Sequence, residues 1–295
     1  MARQRLGQHF LADADWREQI ARAIRVSAHA PEFSASLDRS SDKSFCWIEI
    51  GAGHGEMTEY LAATGAPVTA IEIDPPLVRR LTNLSRRFPN LNVVSSDVLM
   101  VDIAEIAAGR RVRVYGNLPY YITSPILHHL FESASIIDEI HVMIQLEVAE
   151  RLAAQPGTRD YGYLSVATQL YARPELVLEI PRQAFDPPPE VVSALVTMRL
   201  PGQAAKLGIV EKEKFLEFVK VCFAQKRKTL VNNLKAMGKP DEVRAAMERC
   251  GIRADARAEQ LNVAEFAKLS RELGSVSNVS APGGASPALT NTRRI

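Results

Sequence analysis

The chain has 295 residues, 46% hydrophobic and 24% charged, enough for one large core with a smaller unit appended and unlike a disordered or fibrous protein. No apolar run reaches the roughly 18 residues of a membrane span, and the opening Met1-Ala-Arg-Gln-Arg-Leu-Gly-Gln lacks the apolar stretch of a secretory signal. Cys46, Cys222 and Cys250 are too scattered for a disulfide framework or a metal set, so neither is expected and a reducing, cytoplasmic setting is.

Along the chain, residues 47–50, 68–73, 112–115 and 140–144 are mostly apolar, residues 92–96 centre on Val93-Val94, and helical patterns such as 75–87 and 124–131 lie between them. Such runs predict parallel strands buried on both faces. Their alternation with helices predicts a doubly wound, Rossmann-like α/β sheet. Runs 175–180 and 191–200 flank Asp186-Pro-Pro-Pro-Glu190 with no room for a helix, so an antiparallel hairpin is expected at the sheet edge. From about Lys212 the pattern turns purely helical. Phe215, Phe218, Val219, Cys222 and Phe223 form one apolar stripe and Val243, Met247 and Cys250 another, with breaks at Gly238-Lys-Pro240 and Gly251. The expected division is an α/β domain over residues 1–203, a small all-helical domain over 204–274, and a disordered Ser/Gly/Pro-rich tail over 275–295. Residues 31–44, polar and Ser-rich, read as a mobile loop before the first long strand.

The net charge of +2 is unevenly placed. Between Lys206 and Arg257 there are 13 Lys/Arg against 7 Asp/Glu, a local excess of +6. From Lys220 to Lys239 six bases occur without an acid. Lys226, Arg227 and Lys228, read as adjacent helical positions, fan across a wide arc, so at least two should reach solvent and meet a nucleic acid backbone.

Glu49-Ile-Gly-Ala-Gly-His-Gly55 ends the first of these strands and opens a helix. Its glycines let the backbone approach a ligand, and the helix start offers unpaired N–H groups. A dinucleotide fingerprint would need glycine at 56, where Glu56 stands. The spacing G-x-G-x-G, with Gly51 and Gly53, favours a smaller nucleoside over NAD. Glu72 ends the second strand and can accept from ribose hydroxyls; Asp97 ends the third and can accept from an adenine amino group. All three features fall on the carboxyl edge of the sheet, where open α/β folds bind ligands.

The fourth strand runs into Gly116-Asn117-Leu118-Pro119-Tyr120-Tyr121. Asn117 offers a side-chain acceptor, Pro119 restrains Leu118 so that its carbonyl can point outwards, and Tyr120 offers a stacking plate. Two acceptors beside an aromatic plate suit a planar group bearing NH2. An adenine amino nitrogen is a poor nucleophile because its lone pair is delocalised; accepting both its hydrogens favours a pyramidal, nucleophilic form.

Gln8-His9-Phe10-Leu11, the 49–55 and 117–120 segments, Tyr161-Gly-Tyr-Leu-Ser-Val166, Phe185-Asp-Pro-Pro-Pro-Glu-Val-Val-Ser-Ala194 and Phe223-Ala-Gln-Lys-Arg-Lys-Thr-Leu-Val-Asn-Asn-Leu234 occur in order. Together they resemble the ribosomal RNA adenine N6,N6-dimethyltransferase family, over roughly residues 3–273. The resemblance implies an S-adenosylmethionine-dependent enzyme that dimethylates two adjacent adenines near the 3′ end of small-subunit (16S) rRNA during ribosome biogenesis. It implies a monomer whose partner is the small ribosomal subunit, with neither membrane nor metal. By the same resemblance His9 and Leu11 join Gly51, Gly53, Glu72, Asp97 and Asn117 around the cofactor, and Phe185 stacks on the target adenine opposite Tyr120. His9 stands where relatives often have asparagine, and Leu146 where many carry lysine. Three rivals stay open: a large-subunit rRNA methyltransferase of the macrolide-resistance type, a ribosome-assembly factor acting mainly by binding, and an NAD-linked oxidoreductase.

Overall fold

The computed structural model describes residues 9–26 and 45–279, with side chains to 274. The 31–44 loop and the tail beyond Val279 lie outside the described residues. The chain forms two compact units, which meet in sequence at Val210 and Glu211.

The first unit opens with a two-residue strand, β1 (Phe10–Leu11), and helix α1 (Ala14–Ala23). Asp13 caps α1 by accepting from the backbone N–H groups of Asp15 and Trp16, which satisfies donors that no helical carbonyl can reach. There follow β2 (Phe45–Ile50), α2 (Glu56–Ala63), β3 (Val68–Glu72), α3 (Pro75–Leu84), β4 (Leu91–Ser95), α4 (Ile103–Ala107) and β5 (Arg111–Asn117). Then come α5 (Thr123–Glu132), β6 (Ile137–Gln145), α6 (Leu146–Ala153), α7 (Tyr163–Tyr171), β7 (Arg173–Ile180), β8 (Phe185–Asp186) and β9 (Ser193–Arg199). Seven strands build one sheet in the order β4-β3-β2-β5-β6-β9-β7. Neighbours from β4 to β6 are parallel, while β9 pairs antiparallel with both β6 and β7.

The doubly wound sheet and its edge hairpin are as the sequence predicts, and the reason is burial. Every residue of β2 is buried, so no polar alternation survives. Between β7 and β9 the chain fits a single 3-10 turn (Arg182–Ala184) and then β8, which crosses back to pair antiparallel with β1, Leu11 opposite Phe185. Ile20, Trp47, Leu61, Leu81, Tyr115, Met143 and Leu195 share one apolar cluster with Leu11 and Phe185.

The sequence reading ends this unit at residue 203, whereas the chain divides after Val210. Residues 202–204 are tied into the first unit: Gly202, Gln203 and Ala204 donate their N–H groups to the carbonyls of Tyr171, Gln169 and Leu170. A Cβ on Gly202 would lie 2.4 Å from the Ala172 nitrogen, so only glycine fits this crossing.

The second unit contains α8 (Lys212–Cys222), α9 (Leu230–Asn233), α10 (Pro240–Arg249) and α11 (Val263–Val279). The predicted stripes bury here at Phe215, Phe218, Val219 and Cys222 and at Val243 and Met247, together with Leu230, Leu234 and Phe266, while Phe223 and Cys250, the last member of each stripe, are only half-buried. Helix α11 continues through Gly274 to Val279, past the boundary set by composition. The expected helical placement of Lys226, Arg227 and Lys228 is corrected: they occupy an exposed turn after α8. At the end of α8, Asn233 Nδ2 donates to the Cys222 carbonyl at 2.7 Å. That carbonyl would otherwise serve the N–H of Lys226 in a continuing helix. Lys228 N–H instead closes a turn on the Gln225 carbonyl.

Candidate cofactor and acceptor site

A cleft opens at the carboxyl ends of β2, β3, β4 and β5. Gly51, Gly53 and Gly55 all hold positive φ, at 67°, 58° and 90°, the left-handed region that residues with a Cβ avoid. This turn swings the backbone aside and lays its surface open between strand and helix. A Cβ on Gly53 would stand 3.1 Å from the ring of Phe10, which itself packs on His54 with ring centroids 4.2 Å apart.

Glu72 is buried, 3% exposed, and its carboxylate is more engaged than the sequence suggests. One oxygen accepts from the Gly53 N–H at 2.9 Å; the other accepts from Ile73 and Asp74 at 2.9 and 3.0 Å. Glu72 therefore clamps the glycine turn to the end of β3, while its remaining lone pairs border the cleft. Asp97 places one oxygen on the Leu99 N–H at 3.0 Å, which leaves the other for a ligand. Apolar walls are supplied by Ile50, Ile71, Ile73 and Val98.

Beneath the turn lies a third carboxyl group. Glu49 is 2% exposed, and burial, partly opposed by a hydrogen bond from Thr58, raises its pKa to about 8. The Thr58 hydroxyl donates to Glu49 Oε2 at 2.5 Å. Nearby Glu56 and Glu72 push in the same direction as burial.

At the other end of the cleft stand Asn117, Leu118, Pro119 and Tyr120. Asn117 Nδ2 donates to the His9 carbonyl at 2.8 Å. This bond orients the amide, one N–H of its nitrogen held by the His9 carbonyl and its oxygen left as an acceptor. Leu118 N–H donates to the Met143 carbonyl at 3.1 Å, anchoring the turn to β6. The Tyr120 hydroxyl shares a 2.8 Å hydrogen bond with Ser193 Oγ on β9. Burial pushes this phenol above its usual pKa, the Ser193 bond opposing it, so it stays protonated at neutral pH.

The structure thus brings His9, Gly51, Gly53, Glu72, Asp97, Asn117, Leu118, Pro119 and Tyr120 to one cleft. It does not bring Leu11 or Phe185, which pair with each other and are buried at 5% and 3% exposure. The ring facing Tyr120 is that of His9, with centroids 5.9 Å apart and planes 24° from parallel. Phe10, in the quoted 8–11 motif but not named there as a site residue, lines the cleft instead of Leu11; in a strand, neighbouring side chains point to opposite faces. Among the described residues no group of His, Cys, Asp and Glu could hold a metal ion, and no helix is long and apolar enough to cross a membrane.

The profile of the ribosomal RNA adenine dimethylases matches residues 1–274. The chain belongs to this family. It is 45% identical over 228 residues to ribosomal RNA small subunit methyltransferase A of Acidobacterium capsulatum, covering 77% of this chain and 80% of that one. It is 39% identical to the protein of the same name from Xanthomonas campestris pv. campestris over 270 residues, 91% of this chain and 95% of that one. In three dimensions it resembles a dimethyladenosine transferase from Plasmodium falciparum, with TM-score 0.75 and 23% identity over 91% of this chain and 98% of that one. The 23S rRNA methyltransferase ErmE matches with TM-score 0.64 and 26% identity, over 90% of this chain and 99% of that one. Membership sets the oxidoreductase rival aside: the chain is an rRNA-modifying methyltransferase, and Asn117–Tyr120 line its cleft.

Proposed function

We propose that this chain transfers methyl groups from S-adenosylmethionine to the N6 amino groups of two adjacent adenines near the 3′ end of small-subunit rRNA, giving N6,N6-dimethyladenosine. The observation that carries the reading is the fixed Asn117 amide, whose free oxygen shares the cleft with Leu118 and Tyr120. The relatives at 38–45% identity are named as small-subunit methyltransferases, which favours this substrate over the large-subunit RNA of ErmE. A ribosomal substrate of this kind goes with a cytoplasmic location.

The residues present fit the cofactor: a glycine turn clear of Cβ atoms, two strand-end carboxylates and apolar walls between them. Glu72 would accept from the ribose hydroxyls and Asp97 from the adenine amino group. When bound, S-adenosylmethionine supplies an electrophilic methyl group on a sulfonium. The chain's own residues do the aligning. Tyr120 stacks on the target base, which has to leave its helix or be already unpaired to reach the cleft. Asn117 Oδ1 and the Leu118 carbonyl accept the two amino hydrogens and localise the nitrogen lone pair. Tyr120 keeps its own proton, so none of these groups acts as a strong base, and the methylated nitrogen loses its proton to water.

In the second unit, Lys226, Arg227 and Lys228 are exposed on their turn and would contact phosphates, positioning RNA without reading its sequence. The test is to incubate the chain with labelled S-adenosylmethionine and undermethylated small subunits and to map the product. Label in small-subunit adenines supports the reading; label confined to large-subunit RNA overturns it.

A further inference from the structure

Residues 9–13 are zipped to residues 184–187. Ala12 and Asp13 donate their N–H groups to the Ala184 carbonyl, Leu11 and Phe10 pair with Phe185 and Asp186, and His9 Nδ1 lies 2.8 Å from the Pro187 carbonyl. The last contact differs from the others because a side chain makes it, at the end of the zip that borders the cleft. A carbonyl only accepts, so Nδ1 carries a proton and donates, whatever the state of Nε2.

The carbonyl of this same His9 receives the Asn117 amide. An amide side chain is nearly symmetric in shape, and a half-turn would present NH2 to the target amino group, donor against donor. Asn117 keeps its oxygen towards the cleft only while the His9 carbonyl holds the Nδ2 hydrogens. That carbonyl sits where the zip would fray first, and the Nδ1–Pro187 bond pins it.

We infer that His9 is a positioning residue: through Pro187 it fixes the backbone that orients Asn117, coupling the acceptor amide to the 185–190 loop. The inference rests on the proposed adenine methylation. It differs from both cofactor contact and base stacking, and three variants separate these roles. His9→Asn removes the ring but keeps an N–H donor the same number of bonds from the backbone as Nδ1. His9→Phe keeps a ring facing Tyr120 and loses the donor. His9→Ala loses both.

With small subunits as substrate, His9→Ala and His9→Phe should lower kcat by about 2- to 12-fold, the factor one neutral hydrogen bond is worth. Monomethyladenosine should build up, because the second transfer also needs an oriented acceptor. His9→Asn should recover most of the turnover lost in His9→Ala, with all rates read at saturating S-adenosylmethionine so that any change in cofactor affinity does not enter. A second readout needs no activity: in NMR spectra of the full chain, the Asn117 side-chain amide protons should exchange faster in His9→Phe than in His9→Asn. Full turnover in His9→Phe, or His9→Asn as slow as His9→Ala, would overturn the inference, as would equal amide exchange in the two. Should the unsubstituted chain fail to methylate small subunits, the functional reading fails instead, and the exchange rates still decide the role of His9.

Discussion

Replacing Glu72 by glutamine separates a clamp from a mere ribose contact. The side chains are nearly isosteric, so no cavity confuses the result. The carboxylate serves three backbone donors, Gly53 on one oxygen and Ile73 with Asp74 on the other. A glutamine amide has one acceptor oxygen. If it stays with Ile73 and Asp74, its NH2 faces the Gly53 N–H and the glycine turn loses its tether. A hydrogen bond to a charged group is worth about 1.5–3 kcal/mol, and a unit of this size loses roughly 2–4 °C of melting temperature per kcal/mol. The variant should therefore melt about 3–12 °C lower, and S-adenosylmethionine should bind more weakly because the turn it needs is loosened. Calorimetric melting with and without S-adenosylmethionine, plus titration of the cofactor into the folded variant, measures both. An unchanged melting temperature would show that Glu72 is no clamp, and unchanged affinity would remove it from the cofactor site.

Asn117→Ala should slow methyl transfer by about 10²-fold or more, the scale of losing one preorganised transition-state contact, with RNA affinity by filter binding unchanged; affinity falling in step with turnover would make Asn117 a docking residue. Glu49 binds a proton in the native state up to about pH 8, far above its ordinary value of 4.5. Its contribution to stability is thus complete below the ordinary value and is lost as pH rises towards 8, by at most about 1.4 kcal/mol per pH unit. Denaturant titrations should show that decline, and Glu49→Gln should flatten it; an equal slope in the variant counts against the buried acid. Changing Lys226 and Lys228 to glutamine should lower the salt slope of RNA binding by roughly 0.7–0.9 per lost phosphate contact and spare cofactor affinity, whereas an unaltered slope would mark the turn as solvated surface. Gly202→Ala should destabilise the first unit strongly, because its Cβ would fall 2.4 Å from a backbone nitrogen; normal melting would show that this crossing is loose.

What the sequence disclosed follows from local physics. Strands buried on both faces read as apolar runs, and β2, β3, β5 and β6 lie close to where those runs fall, while the edge strand β4 is only partly buried and shows in sequence through Val93 and Val94. The glycine turn and Asn117–Tyr120 declared themselves because each is a contiguous cluster of unusual residues. What stayed hidden depends on distant partners. Strand β1 has two residues and no periodicity, and its pairing partners, Phe185 and Asp186, stand far along the chain. Phe185 looks like a loop aromatic in sequence, yet pairing with Leu11 draws it into the core. The stripe ending in Cys222 suggests a helix that continues through Lys228. Nothing local reveals that Asn233 takes the carbonyl on which continuation depends. Glu72 shows the same limit at the site: its place at a strand end was legible, its three backbone partners were not.

Dimethylation of small-subunit adenines is read out by mass mapping of the RNA. Small subunits lacking the modification should be incubated with the chain and S-adenosylmethionine, and the rRNA digested and sequenced by mass. The expected product carries two methyl groups on the N6 of each of two adjacent adenines near the 3′ end of the small-subunit RNA. Methylation only of large-subunit RNA, or of a position other than N6, would contradict it.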